Sequence, residues 1–200
     1  MARTRASPLG EAFEFSLKFI AFLFALELAD GVLALGLDEF GIRPREIVGL
    51  RGVIFAPLLH GGLGHVAANA GPLCILLPLF LVDRRQRPWS VLAFIWVLGG
   101  LGTWLLGRGG AVHIGASGMV YGIAAYLVVA GVVGASWHAT AIAIFVVLVY
   151  GGLVYGLLPR AGPISWEGHL TGAVVGGIAA WRNRGRIRTP RVSPRGTRAR

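Results

Sequence analysis

HIGASGMVYG, residues 113–122, places one hydroxyl, Ser117, between Gly115-Ala116 and Gly118, and then runs into apolar sequence. A bare serine at the mouth of a hydrophobic helix, with glycines clearing the space around it, has two readings. Serine is a preferred N-cap residue, because its oxygen accepts a first-turn backbone N–H. It is also a nucleophile wherever a base can take its proton. The rest of the chain has to decide between them.

The chain has 200 residues, 55% of them hydrophobic and only 14% charged, with a mean hydropathy of +0.69. A soluble domain of this size carries about 25% charged residues. The composition therefore predicts an all-α integral membrane protein in one compact bundle. The single cysteine, Cys74, sits in an apolar run and reads as core packing, forming neither an internal disulfide nor a zinc site.

A membrane helix needs roughly 20 mostly apolar residues. Six segments qualify: 14–36, 65–82, 89–107, 117–134, 138–157 and 168–182. The first carries Lys18, Glu27 and Asp30 and lacks the cleavage site of a signal peptide. The predicted organisation is a cytoplasmic N-terminal segment at 1–13, a six-helix domain at 14–182 and a basic, disordered cytoplasmic tail at 183–200. Placing both termini inside puts thirteen arginines on the inner side and five on the outer, as the positive-inside bias requires. The predicted location is a cell membrane, multi-pass, and the single lysine against eighteen arginines hints at a GC-rich bacterial genome. The tail reads as lying beside anionic lipid. It has no interleaved aromatics, so nucleic-acid binding is the weaker reading.

This topology brings three polar helix mouths to the outer side. HGGLGHVAANA supplies His60 and, four apart on one helix face, His65 and Asn69. The fourth span opens with Ser117, with Tyr121 one turn below. The sixth opens with EGHLTGAVVGG, where His169, Gly172 and Gly176 share a face. Small residues let membrane helices approach closely, so Gly118 and Gly122 are expected to face Gly172 and Gly176 and to bring His169 against Ser117. A histidine in hydrogen-bond reach of a serine can act as its base. Donors for an oxyanion could come from the first turn of the fourth span and from His65 and Asn69.

No acid stands out as a third partner, and Glu167 is not assigned that role. Taken singly, each polar residue has a plain structural reading: an N-cap for Ser117, interhelical hydrogen bonding for His65 and Asn69, an interfacial histidine for His169. Together they weigh toward function, because polar groups at membrane depth are costly. A metal site at His60, His65 and His169 is the weaker reading, since no acidic or thiol ligand accompanies them. His113, in a Gly-rich loop, reads as incidental, and the tryptophans, such as Trp89 and Trp166, as interfacial anchors. A small transporter would show inverted repeats and midplane charges, which this chain lacks.

HGGLGHVAANA, GASGMVYG and GHLTGAVVGG, in this order, resemble the rhomboid intramembrane serine proteases over roughly residues 50–180. The resemblance implies a six-helix bundle with an outward-open, water-filled cavity and an endopeptidase, needing no metal or cofactor, that cleaves transmembrane segments of other proteins near their outer ends. By the motif match, Ser117 is the nucleophile and His169 the base. His65, Asn69 and the Ser117 N–H form the oxyanion hole, Tyr121 stacks on His169, and His60 lines the cavity. Substrate would enter past the fifth span and the 158–168 loop. One departure stands out: the family's Trp-Arg pair in the first outer loop is replaced by Leu50-Arg51, nine residues before His60. The rival reading is a non-catalytic relative that binds and escorts membrane helices.

Overall fold

Serine and proline start the first helix. Ser7 accepts the Gly10 N–H at 3.1 Å and Pro8 takes the N1 position, where its missing N–H matters least. The computed structural model describes residues 7–134, 136–160, 162 and 164–188, and every extended element among them is helical. The α-helices are α1 (Pro8–Leu33), α2 (Gly52–Phe55), α3 (Leu63–Leu81), α4 (Pro88–Leu106), α5 (Ser117–Val133), α6 (Trp137–Tyr150), α7 (Trp166–Arg182) and α8 (Arg184–Arg188). A 3-10 segment, Gly151–Leu157, continues α6.

Three of these are long and apolar enough to cross a membrane by length and composition: α3, α4, and α6 with its continuation. The charges of α1 and the shortness of α5 and α7 keep them outside that class. Seventeen residues rise only about 25 Å.

α5 is the hub. Eleven of its residues are buried, among them Val120, Ile123, Tyr126 and Leu127. α7, α6, α4 and α3 pack around it, and α1 packs on α3. The α5–α7 seam is the tightest. A Cβ on Gly172 would collide with the Gly118 carbonyl oxygen, and one on Gly176 with that of Gly122. The expected facing of these four glycines is thus present as backbone-to-backbone contact, which only residues without a side chain allow.

The acids of α1 hold backbone at one end of the bundle. Glu27 accepts the Gly62 N–H at 2.6 Å, just ahead of α3, and Asp30 accepts the Leu37 N–H at 3.1 Å. Between them runs a folded loop of short 3-10 turns and α2. Two of the tryptophans pin this loop to α4. Trp96 donates to the Ile54 carbonyl at 3.1 Å and Trp104 to that of Glu46 at 2.8 Å. Where the Trp-Arg pair is missing, Arg51 lies over the Phe40 ring at 4.3 Å and donates to the Glu39 carbonyl.

At the opposite end, Tyr126 donates to Gln86 Oε1 at 2.8 Å, and Asn183 donates to both the Tyr126 hydroxyl and the Gln86 carbonyl at 2.8 Å. This ties the turn before α4 to α5 and α7. Two expectations change here. The start of the predicted disordered tail, Arg184–Arg188, is helix α8. Ile187 is buried there, and Arg188 donates to the Val133 carbonyl at 2.7 Å, so one apolar side chain and one cation dock it. The remaining tail, 189–200, lies outside the described residues. Cys74, expected in the core, is only half-buried.

Candidate active site

Gly115 takes φ +111°, a conformation that L side chains rarely adopt, and turns the chain into α5. A Cβ there would press on the His65 ring at 2.7 Å. The N-cap of α5 is then Ala116, with no side-chain capping bond, and Ser117 is the first helical residue. The N-cap reading of Ser117 therefore fails, and its hydroxyl is left for another partner.

That partner is His169, one turn into α7. Its Nε2 lies 2.8 Å from Ser117 Oγ, and its Nδ1 lies 2.9 Å from the Gly156 carbonyl. A carbonyl can only accept, so Nδ1 carries the proton. Nε2 is then an acceptor facing the serine hydroxyl. Tyr121 lies parallel to the His169 ring at 4.2 Å, with 9° between the planes. Gly156 comes from the 3-10 segment after α6. A Cβ on it would collide with the Tyr121 hydroxyl and lie 3.2 Å from His169 Nδ1. A side chain at residue 156 would thus disturb the histidine and the ring that flanks it.

Gly156 is the partner that the sequence did not reveal. Every residue carries a carbonyl, so only the glycine in GGLVYGL is a signal, and a faint one. Glu167 turns away from His169: its Oε1 accepts the Arg108 N–H at 3.3 Å. Arg108 in turn donates to the carbonyls of Arg160 and Ile164, holding the segment ahead of α7.

On the other side of Ser117, α3 presents His65 and Asn69. His65 Nδ1 accepts the Gly61 N–H at 3.3 Å, which leaves the proton on Nε2, the nitrogen that meets Gly115. Asn69 uses one amide hydrogen on the His65 carbonyl at 2.8 Å and has another to spare. These residues, with Gly61, Ser117, Tyr121 and His169, line a cavity of about 460 Å³.

His60 departs from expectation. It is 2% exposed and is not among the residues lining that cavity. Its Nε2 accepts the Ala116 N–H at 3.3 Å and its Nδ1 donates to the Leu58 carbonyl at 3.3 Å, so it braces the turn beneath the serine. Burial, with His65 nearby, pushes its pKa down to about 4, which keeps it neutral. His113 is likewise no incidental loop residue. It is buried, pairs with Ile42 through two 2.9 Å backbone bonds, and binds Ser165 Oγ at 2.6 Å. Burial also lowers its pKa. No group of histidines, cysteines and acids able to hold a metal occurs among the described residues.

The family model for the Rhomboid domain matches residues 48–186. An uncharacterized protein of Mycobacterium tuberculosis is 44% identical over 173 residues, covering 82% of this chain and 72% of its own length. One of Mycobacterium leprae is 39% identical over 174 residues, covering 82% and 68%.

Proposed function

The chain belongs to the rhomboid family, and from that premise we propose that it is an intramembrane serine endopeptidase working through a Ser117–His169 dyad. The observation that carries this reading is the 2.8 Å contact between Ser117 Oγ and a His169 Nε2 whose other nitrogen is occupied by the Gly156 carbonyl. That bond fixes the tautomer a general base needs, the task an aspartate performs in a triad.

In the proposed reaction, an unwound stretch of a substrate transmembrane segment lies in the cavity. Ser117 Oγ attacks the scissile carbonyl carbon as its proton passes to His169 Nε2. The oxyanion meets the first-turn N–H of α5, the Nε2–H of His65 and the free amide hydrogen of Asn69. His169 returns the proton to the leaving amine, which departs with its C-terminal fragment. Water then attacks the acyl-enzyme, again through His169, and frees Ser117. Substrate reaches the cavity past α6 and the 158–168 segment. The domain at 14–182 spans the membrane six times with both termini in the cytoplasm, so the cavity opens on the outer face.

The test is labelling of the detergent-purified protein with a fluorophosphonate probe, beside cleavage of a reporter transmembrane segment. Wild type labels; Ser117→Ala and His169→Ala neither label nor cleave while remaining folded. Asn69→Ala still labels but cleaves about 10- to 1,000-fold more slowly, the scale of a lost oxyanion donor. No labelling of folded wild type would overturn the protease reading in favour of a helix-binding relative.

A further inference from the structure

The end of the bundle opposite Ser117 carries a second cavity, of about 200 Å³, between the start of α4 and the end of α7. Three arginines line it: Arg87 before α4, Arg182 on the last turn of α7, and Arg186 on α8. Their guanidinium groups are exposed and have no carboxylate or carbonyl partner among the described residues, whereas those of Arg84, Arg85 and Arg108 each have one. Three cations around one hollow repel each other, and an anion seated among them would offset that repulsion.

The backbone there points the same way. Arg87 is the N-cap of α4 and offers no acceptor, and Pro88 follows. The N–H groups of Trp89 and Ser90 have no acceptor among the described residues, and Ser90 also lines the cavity. The positive end of a 19-residue helix thus opens into the arginine cluster. Arg87 itself sits at φ +51°, where a glycine would be less strained.

The remaining wall is mixed: Val91, Phe94 and Ala179 form an apolar strip, beside Gln86 and Asn183, whose side chains are bonded to Asp83 and Tyr126. Trp89 and Trp181, 54% and 57% exposed, flank this end of the bundle. Exposed tryptophans mark the headgroup level of a bilayer. A soluble anion has no use for the apolar strip, whereas a lipid phosphate with its acyl chain running along Val91 and Phe94 matches both halves.

We propose that this groove binds the phosphate of an anionic phospholipid, held by Arg87, Arg182 and Arg186 and by the first turn of α4. Its occupant is a membrane lipid and not a substrate, and the site is independent of the catalytic reading. The test is native mass spectrometry of the full chain in a neutral detergent, titrated with dioleoyl-phosphatidylglycerol, dioleoyl-phosphatidylcholine or inorganic phosphate. Wild type retains phosphatidylglycerol preferentially, and the Arg87→Gln/Arg182→Gln/Arg186→Gln variant binds it about 10- to 100-fold more weakly, at roughly tenfold or less per cation removed. Arg191→Gln/Arg195→Gln/Arg198→Gln removes the same charge from the chain's end and leaves binding within about twofold.

Equal affinity for phosphatidylcholine would overturn the proposal, as would phosphate competing at the same concentration as the lipid. A loss of binding only in the 191/195/198 variant would move the interaction to the tail and overturn it too. Should the groove triple variant misfold, Arg186→Gln and Arg87→Gln singly carry the same comparison, at severalfold each.

Discussion

α7 and α6 both pack on α5 through small residues, but they do so over different lengths. On the α7 side, Gly118 and Gly122 meet the backbone of Gly172 and Gly176 from Ser117 and His169 downward. On the α6 side, close approach is confined to the end away from Ser117, where a Cβ on Gly131 would collide with Ala143. Toward the cavity α6 departs: Gly151 and Gly152 have open space, and only Ala143 and Val146 are buried along the helix. One seam fixes the distance between Ser117 and His169. The other leaves room beside them, with Gly156 as the point where the departing chain returns to hold His169. Close packing is placed where Ser117 meets His169 and withheld on the α6 side, where the proposed function would admit a substrate helix.

The sharpest way to break this contrast is to add one methyl group to each of two glycines on α7. Gly172→Ala drives a Cβ into the Gly118 carbonyl, so the helices must separate and the Ser117–His169 bond lengthens. Loss of more than about 2 kcal/mol and of probe labelling is expected. At Gly177 a Cβ meets only Val129, at an ordinary 3.7 Å, and helix propensity favours alanine over glycine by about 1 kcal/mol. Gly177→Ala should therefore match or exceed wild type in thermal stability. Equal destabilisation by both would mean that the seam is not the determinant.

A smaller effect tests the brace under the serine. His60 is neutral when folded, with a pKa near 4 against about 6.5 when unfolded. The unfolded chain then binds more protons between these values, so stability is complete above pH 6.5 and is lost as pH falls toward 4. The loss from this group is on the order of 3 kcal/mol by pH 4. The melting-temperature advantage of wild type over His60→Asn should shrink steadily across that window; a constant difference would count against the brace.

The least effect is expected on the loose side. Leu148 on α6 is 78% exposed. Leu148→Ala should shift stability by no more than about 0.5 kcal/mol and leave labelling unchanged. A large loss would show that α6 is held more firmly along its length than its contacts indicate.

How much of this was legible beforehand depends on where the information sits. Hydropathy marked all six long helices to within a few residues, except that α1 begins at Pro8 and not near residue 14, because Ser7 and Pro8 form a start signal ahead of the apolar run. The serine, the two α3 side chains and the histidine were legible because their spacing on helix faces is a local property. The third partner was not. A carbonyl carries no mark in the sequence, and whether Gly156, Glu167 or nothing faces His169 depends on how the chain returns from α6. His113 and His60 were misjudged for the same reason, since their partners lie 52 and 56 residues away.

The sequence by itself determined that this chain is helical, apolar and built for close helix contact, and that its polar groups gather at helix mouths. Periodicity and composition act over a few turns, and those properties need nothing longer. Only the tertiary structure decided which nitrogen of His169 is free, which tryptophans anchor a loop, that Arg184–Arg188 fold back onto α5, and that three arginines encircle one groove. Those outcomes rest on backbone groups and side chains far apart in the chain, whose pairing is set by how the helices pack.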